Sequence, residues 1–388
     1  MDNFPQNDGT QYNSQPQPTA NSGQQQNTPY TSPSSVYDSS RQGGAPQYHY
    51  GINQPLIDQQ YIDARRMYIL ARRNHIKDIK QLGSIIGLAL ILLLVFAVVF
   101  SYILTIPSLR TLYLESFAFS TGSYVFYSVL VIGIPFLIAS RLLKRHNAEP
   151  VIEYAKPKDP VKSVLLVLAG FGGCIAASYA TSVLRYIAEV VGIYSDYSAE
   201  EFPTSTFDVV IMFVASAIIP PLIEEYALRG VVMGSLRKYG NTFAILASAF
   251  IFGVFHGNAV QLPFAFMCGL ILGYVVIATG SIWTGVAIHA LTNGISCLSS
   301  AINFYMGEKA ADTYYNVVFT GGIIIGILSL ILYLARYKNE KVLSEPGEGR
   351  ELSVGTKFGK FLSTPVMVIA VLLFVIQALT SLSTTPSY

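Results

Sequence analysis

Three short groups of polar side chains interrupt the most apolar part of this 388-residue chain. In chain order they are Glu224-Glu225-xxx-Arg229, Phe252-xxx-His256 and His289-xxx-Asn293. A carboxylate beside an imidazole can act as a general base, and an imidazole beside an amide can donate hydrogen bonds to the oxyanion of a tetrahedral intermediate. The three groups therefore contain the side chains that proton transfer and oxyanion stabilisation require.

The first group follows two prolines and is predicted to lie at a break in its helix. Pro220 and Pro221 remove backbone donors, so the helix must kink or restart there, and a restart would place the acids near the positive end of a new helix. Glu225 and Arg229 are four residues apart with the acid first, which predicts a helical ion pair. Glu224 points about 100° away and has no obvious cation nearby in its own helix. The alternative is one structural cluster of all three, although one arginine neutralises only one carboxylate.

The composition predicts an all-α, polytopic transmembrane bundle. Hydrophobic residues make up 52% and charged residues 12% of the chain, and the mean hydropathy is +0.44, whereas soluble domains carry about 25% charged residues. Small residues four apart, Gly253/Gly257 and Gly269/Gly273, predict close helix contacts. A spanning helix needs about 20 apolar residues. Nine candidates are predicted, near residues 82–106, 117–142, 161–187, 206–236, 242–258, 260–279, 281–303, 315–335 and 362–383.

The charges between these segments predict the orientation of the chain. Basic residues cluster before the first span and after the second, fourth and eighth, whereas the opposite loops carry acids. By the positive-inside rule the N-terminus is cytoplasmic. No basic stripe marks a soluble domain, so nucleic acid is not an expected partner. Cys174, Cys268 and Cys297 lie in apolar segments without CxxC spacing and are interpreted as packing residues.

The chain divides into five predicted regions. Residues 1–57 are rich in Gln, Asn, Pro and Ser and are expected to form a disordered cytoplasmic tail. Residues 58–81 form a basic juxtamembrane helix, which either lies on an anionic membrane surface or is a solvated linker. Residues 82–200 supply accessory transmembrane helices, residues 205–303 the core that holds the three polar groups, and residues 304–388 the C-terminal transmembrane helices.

The depth of the three groups predicts that they meet inside the bilayer. Residues from Asn241 to Gly307 include no Asp, Glu, Lys or Arg, yet they hold His256 and His289. At about 1.5 Å per residue, Glu224 lies roughly 20 Å, His256 roughly 21 Å and His289 roughly 12 Å from the ends of their segments. Ionisable residues at the bilayer centre cost about 2.5–3.5 kcal/mol and default to a functional interpretation. Alternatively, each histidine is a packing residue and the asparagine joins two helices by a hydrogen bond.

In this order and spacing, the three groups resemble the CPBP family. These are the CAAX prenyl protease and bacteriocin-processing intramembrane proteases, also called the abortive-infection family. The flanking residues are similar too, namely Gly230, Ser248-Ala249-Phe250-Ile251 and Gly280-Ser281-Ile282-Trp283. The resemblance covers about residues 205–300 and leaves out the tail, the first spans and the last span.

The resemblance implies an intramembrane endopeptidase that hydrolyses a peptide bond of a membrane-associated protein or peptide. By motif position, Glu224 would be the essential acid and His256 would help it to activate a water. His289 and Asn293 would bind the oxyanion or complete the site. The supporting residues would be Glu225, Arg229 and Phe252.

The resemblance leaves the cofactor open. The family is often labelled metalloprotease, and Glu224, His256 and His289 could bind one Zn²⁺ with an open fourth position. No HExxH motif occurs in the chain, and a metal-free glutamate mechanism is equally compatible.

Two other classes of function are compatible with the same residues. A non-proteolytic family member could act as a membrane scaffold or immunity protein and recruit partners through the tail and the basic helix. Intramembrane Glu and His could instead carry protons in a transporter, although no inverted sequence repeat is visible. The Gln/Asn-rich tail favours a multi-pass protein of a bacterial plasma membrane, and the final residues Thr-Pro-Ser-Tyr are not a CAAX box.

Overall fold

The structure, a computed structural model, describes residues 54–195, 202–343 and 348–383, so residues 1–53 of the predicted tail lie outside it. The α-helices are α1 (Gln54–Ile103), α2 (Pro107–Glu115), α3 (Phe117–Phe126), α4 (Ile134–Arg145), α5 (Pro160–Val190), α6 (Thr206–Met212), α7 (Ile219–Glu225), α8 (Gly234–Leu236), α9 (Asn241–Phe255), α10 (Gln261–Thr279), α11 (Ile282–Met306), α12 (Glu308–Arg336), α13 (Val354–Leu362) and α14 (Pro365–Thr380). The other elements are π-helical segments Tyr127–Gly133, Phe213–Ile218 and Tyr226–Met233, a 3₁₀ turn Arg237–Tyr239, and an antiparallel pair of β1 (Tyr194–Ser195) and β2 (Leu382–Ser383).

The predicted polytopic helical bundle is confirmed. Among the described residues, seven helices are long and apolar enough to cross a membrane, or eight if the pair α13–α14, bent by 81°, is one span. The predicted span at residues 242–258 is α9, which has only 15 residues where a bilayer needs about 20. All nine predicted segments are therefore helical, but fewer than nine have the length of a full crossing.

The basic segment before the first span belongs to the same helix as that span. α1 runs without interruption for 50 residues and contains both the basic segment and the first span. An α-helix of that length extends about 75 Å. No proline lies between Pro55 and Pro107 to kink it. The basic segment therefore continues the helix of the span, and its first residue, Gln54, falls inside the region predicted as tail.

The main hydrophobic core surrounds α9 and α10, which form a hairpin of two short apolar helices. Gly269 of α10 lies against Ala249 of α9, since a Cβ added at Gly269 would lie 2.8 Å from the Ala249 Cα. This contact confirms the close approach predicted from the glycine spacing. The turn after α9 needs a glycine for another reason, because Gly257 adopts a φ of +59°.

An extended loop before α5 fixes the beginning of α11. The backbone N–H of Ile282 donates to the carbonyl of Glu153 at 2.9 Å, and the Trp283 indole donates to the carbonyl of Tyr154 at 2.9 Å. The Glu153 carboxylate pairs with Arg237 at 2.9 Å. The loop thus joins the end of the acid-bearing span to the helix that carries His289.

We expect Gly269→Ala to lower the free energy of unfolding by about 1–3 kcal/mol, because the added methyl group meets the backbone of Ala249. Gly321→Ala in α12 is the matched control, since a Cβ there meets no atom within 4 Å. Reversible unfolding in mixed micelles measures both variants. Equal stability of the two would show that the α9–α10 contact is not tight.

Candidate active site

The two glutamates lie just after the point where the fourth span changes from π-helical to α-helical geometry. α7 begins at Ile219 after a π-helical segment, and its first turn holds the prolines. Residues 206–239 form one continuous helix, so the predicted kink or restart takes the form of a change of helix type. Glu224 and Glu225 are the last two residues of α7, in its second turn. The expectation that the helix dipole stabilises them is wrong, because this effect is confined to the first turn. Their charge must be compensated by other groups.

Glu225 is the centre of a buried network. Arg229 Nη1 donates to Glu225 Oε1 at 2.8 Å, and both side chains are completely buried, which confirms the predicted ion pair. His289 Nδ1 lies 3.0 Å from the same oxygen. A carboxylate can only accept, so this geometry assigns a proton to Nδ1. Arg229 Nη2 donates to the carbonyl of Gly269 at 3.3 Å, which ties the network to α10.

Glu224 occupies a different position from its neighbour. Its Oε2 lies 3.8 Å from His289 Nε2, outside hydrogen-bonding distance, and the residue is 9% exposed. The arginine is bound to Glu225 instead. The alternative of one structural cluster of all three side chains therefore does not describe the site, since the arginine and Glu224 contact different partners.

His256 closes the end of α9 and faces the same region. Its Nδ1 donates to the Phe252 carbonyl at 2.7 Å, because a carbonyl oxygen can only accept. In the neutral imidazole this leaves Nε2 as a proton acceptor. The Phe252 ring contacts both histidines, with centroid distances of 5.1 Å to His256 and 5.6 Å to His289.

Asn293 lies one helical turn beyond His289 and contacts the fourth span. Its Nδ2 donates to the carbonyl of Ser216 at 2.9 Å. Ser216 belongs to the π-helical segment that precedes α7. The asparagine thus joins α11 to the acid-bearing span, as the packing alternative predicted.

The predicted metal ligands do not fit a metal ion in this arrangement. Across residues 54–195, 202–343 and 348–383, no group of three His, Cys, Asp or Glu side chains is placed to hold one. Both histidines use Nδ1 within the protein, His256 toward a carbonyl and His289 toward Glu225. Histidines that bind a metal through Nε2 are held in the same way, so the placement of the acids and imidazoles, and not these hydrogen bonds, argues against a metal here.

Two residues of the site were not predicted. Gly285 leaves room for the buried carboxylate, because a Cβ there would lie 2.8 Å from Glu225 Oε2. It precedes His289 by four residues, so the shared helix face could have indicated it. Ser216 contributes only a backbone carbonyl, which no side-chain pattern reveals.

Together these contacts define a class of protein: a polytopic membrane protein with acids, imidazoles and an amide held between its helices. Residues 206–295, the same part of the chain, match the family model described as Type II CAAX prenyl endopeptidase Rce1-like. The match covers all three polar groups and supports the resemblance to the CPBP family that the motifs indicated.

Two curated bacterial proteins are similar to the chain. A putative membrane peptidase, YdiL of Bacillus subtilis (strain 168), is 26% identical over 136 residues, 34% of this chain and 54% of the relative. The membrane-embedded CAAX protease MroQ of Staphylococcus aureus (strain USA300) is 30% identical over 109 residues, 26% of this chain and 43% of the relative. The matched region thus spans about half of each relative. No solved structure matches the chain.

The buried ion pair generates a prediction about stability. We expect Arg229→Met to cost about 3–5 kcal/mol, because it leaves the Glu225 carboxylate buried without its cation. The double variant Glu225→Gln, Arg229→Met should lose less than the sum of the single losses, since the unpaired charge is gone. The free energies of unfolding of the wild type, the two single variants and the double variant, measured in mixed micelles, give the coupling energy between Glu225 and Arg229. Strictly additive losses would contradict the pairing.

Proposed function

We propose that the protein is an intramembrane endopeptidase and that Glu224 activates the attacking water. The observation that carries this proposal is a nearly buried carboxylate without an arginine partner, 3.8 Å from an imidazole nitrogen. A carboxylate whose charge is not neutralised by a fixed cation keeps its capacity to accept a proton. The adjacent Glu225 differs, because its ion pair with Arg229 makes it structural.

In the proposed reaction, water attacks the carbonyl carbon of the scissile peptide bond while its proton passes to Glu224. His256 assists through Nε2, the nitrogen that its bond to Phe252 leaves as an acceptor. The carbon–nitrogen bond then breaks, and Glu224 returns the proton to the leaving amine. Each turnover consumes one water and restores the carboxylate.

His289 and Asn293 are proposed to stabilise the oxyanion of the tetrahedral intermediate. Glu225 holds His289 by its Nδ1, which directs Nε2 toward Glu224 and the reacting atoms. Donation to an oxyanion requires a proton on this Nε2. Glu225 and Arg229 act as positioning residues, since they fix the imidazole without meeting substrate.

The proposed substrate is a membrane-associated protein or peptide. Support comes from the names of the family model and of the staphylococcal relative, both of which refer to CAAX proteolysis. Two bacterial relatives favour a bacterial plasma membrane. The basic loops favour a cytoplasmic N-terminus.

We expect Glu224→Gln to reduce cleavage by about 10²–10⁴-fold, because the amide cannot accept the proton of water. Candidate substrates are the membrane proteins that stay unprocessed in a strain lacking the gene. Each candidate is then incubated with the purified protein in lipid nanodiscs, and its cleavage is measured. Glu189→Gln is the matched control, an exposed glutamate paired only with Arg185 at 3.4 Å. Equal cleavage by wild type and Glu224→Gln would favour a non-proteolytic scaffold.

We also expect cleavage to persist after incubation with 1,10-phenanthroline and dialysis, because the described acids and histidines include no metal-holding group. Rates of the purified protein before and after treatment give the comparison. Loss of activity that Zn²⁺ restores would show a metalloprotease and would require His256 and His289 to rearrange. The variant Glu224→Gln sets the background rate.

A further inference from the structure

The exposed beginning of α1 contains a seven-residue repeat that the peptidase site does not use. The residues are Tyr61-Ile62-Asp63-Ala64-Arg65-Arg66-Met67, followed by Tyr68-Ile69-Leu70-Ala71-Arg72-Arg73-Asn74. Five of the seven positions are identical. Because seven residues make about two helical turns, each position of the repeat falls on one face of the helix. Such a repeat is typical of helices that contact another helix.

The repeat forms an aliphatic ridge with arginines on both sides. Ile62 and Ile69 lie on the ridge, 50% and 45% exposed. At about 100° per residue, Arg65 lies about 60° to one side of Ile62, and Arg66 lies about 40° to the other. The second repeat places its two arginines in the same way. We call residues 61–74 the arginine-flanked ridge.

The ridge is accessible among the described residues. Every residue from Gln59 to Asn74 is exposed, and the first buried residue of α1 after them is Ile79. Aliphatic side chains that stay exposed to water do not contribute the free energy that their burial would release. A partner that covers them would gain both apolar burial and ion pairs.

The protein's own bilayer is a poor occupant of the ridge. α1 continues directly into the first span, whose apolar run begins at Leu82. Ile69 and Ile62 lie about 20 Å and 30 Å before that residue along the helix. A continuous helix that enters the membrane carries the ridge away from the lipid surface.

Two other occupants are disfavoured by charge. A second copy of the chain would bring the four arginines of one ridge against those of the other, with Asp63 as the one acidic residue of each ridge. The chain's own residues 1–53 hold three aspartates and no glutamate, too few to match the arginines. A complementary partner needs apolar residues at heptad spacing with acids on both flanks.

We propose that the arginine-flanked ridge binds an acidic amphipathic helix of another protein. The partner presents aliphatic residues to Ile62 and Ile69, and its Asp or Glu side chains pair with the flanking arginines. The interaction does not depend on the peptidase activity, because the ridge lies outside the polar site.

The test uses the full-length protein in phosphatidylcholine nanodiscs and a fluorescent helical peptide of about 28 residues. The peptide has Ile and Leu at the first and fourth heptad positions and Glu at the fifth and seventh. A shuffled peptide of the same composition is the probe control. We expect anisotropy to show binding of the heptad peptide that is at least about tenfold tighter than that of the shuffled one.

Arg65, Arg66, Arg72 and Arg73 are then replaced together by Gln, which preserves helix propensity. We expect this variant and Ile62→Ser, Ile69→Ser each to weaken binding at least about tenfold, and salt of about 0.5 M to do the same. The charge-matched control replaces the exposed residues Arg141, Arg145, Lys156 and Lys158 by Gln and should bind like wild type. An unchanged thermal midpoint shows that the variants fold.

Several outcomes would overturn the proposal. Equal binding of the heptad and shuffled peptides would reduce the ridge to a general cation surface. Binding of phosphatidylserine vesicles that the four-Gln variant loses, without binding of the peptide, would assign the ridge to lipid. Self-association of wild type that the same variant loses would assign it to a second copy. Unaltered peptide binding by both ridge variants would place the contact elsewhere.

Discussion

A carboxylate buried at the centre of the bundle sets the geometry of the site. Glu225 has no exposed surface, and one of its oxygens contacts both Arg229 and His289. In a region of low dielectric constant, an unpaired charge costs several kcal/mol, so these three side chains must stay together. The pairing holds α11 against α7, and Glu224, the next residue along the chain, is thereby held opposite the same imidazole. In the proposed mechanism, Glu225 is the structural acid and positions the imidazole that faces Glu224, the catalytic acid.

Irregular helices make this arrangement possible inside an apolar bundle. Two π-helical segments flank α7 directly. π-Helical turns are rare in proteins, and those that occur are often found at functional sites. α9 ends early, so that the turn after His256 lies between two short helices. The backbone there is not left without partners, since Asn258 accepts from two N–H groups and the N–H of Ala259 donates to Ser381 of the last helix. A turn that lies within a bilayer needs its backbone groups bonded inside the protein in this way.

Sequence patterns within one helix predicted the features that depend only on neighbouring residues in that helix. The helix irregularity at the prolines follows from backbone chemistry and is present as a change from π to α geometry, and the pair of Glu225 with Arg229 follows from a spacing of four and is also present. The contact of His289 with Glu225 joins residues 64 positions apart, and no spacing rule specifies which acid an imidazole meets. The length of the basic helix was also missed, because its change from charged to apolar residues resembles a boundary. Helix hydrogen bonding does not depend on that change, and α1 continues through it.

The packing and catalytic interpretations of Asn293 are compatible, because its side-chain amide has two N–H donors. One N–H is bound to the Ser216 carbonyl, which fixes the amide beside the acid-bearing span. A donor that stabilises an oxyanion must be held in place before the charge develops, since reorientation during the reaction would cost part of the gain. A hydrogen bond between helices supplies that restraint, and the second N–H is the one available for an oxyanion. The same reasoning applies to His289, whose Nδ1 is held by Glu225 while Nε2 faces the reacting region. The amide thus uses one hydrogen for structure and reserves another for chemistry, and the His289 imidazole does the same when both of its ring nitrogens carry a proton.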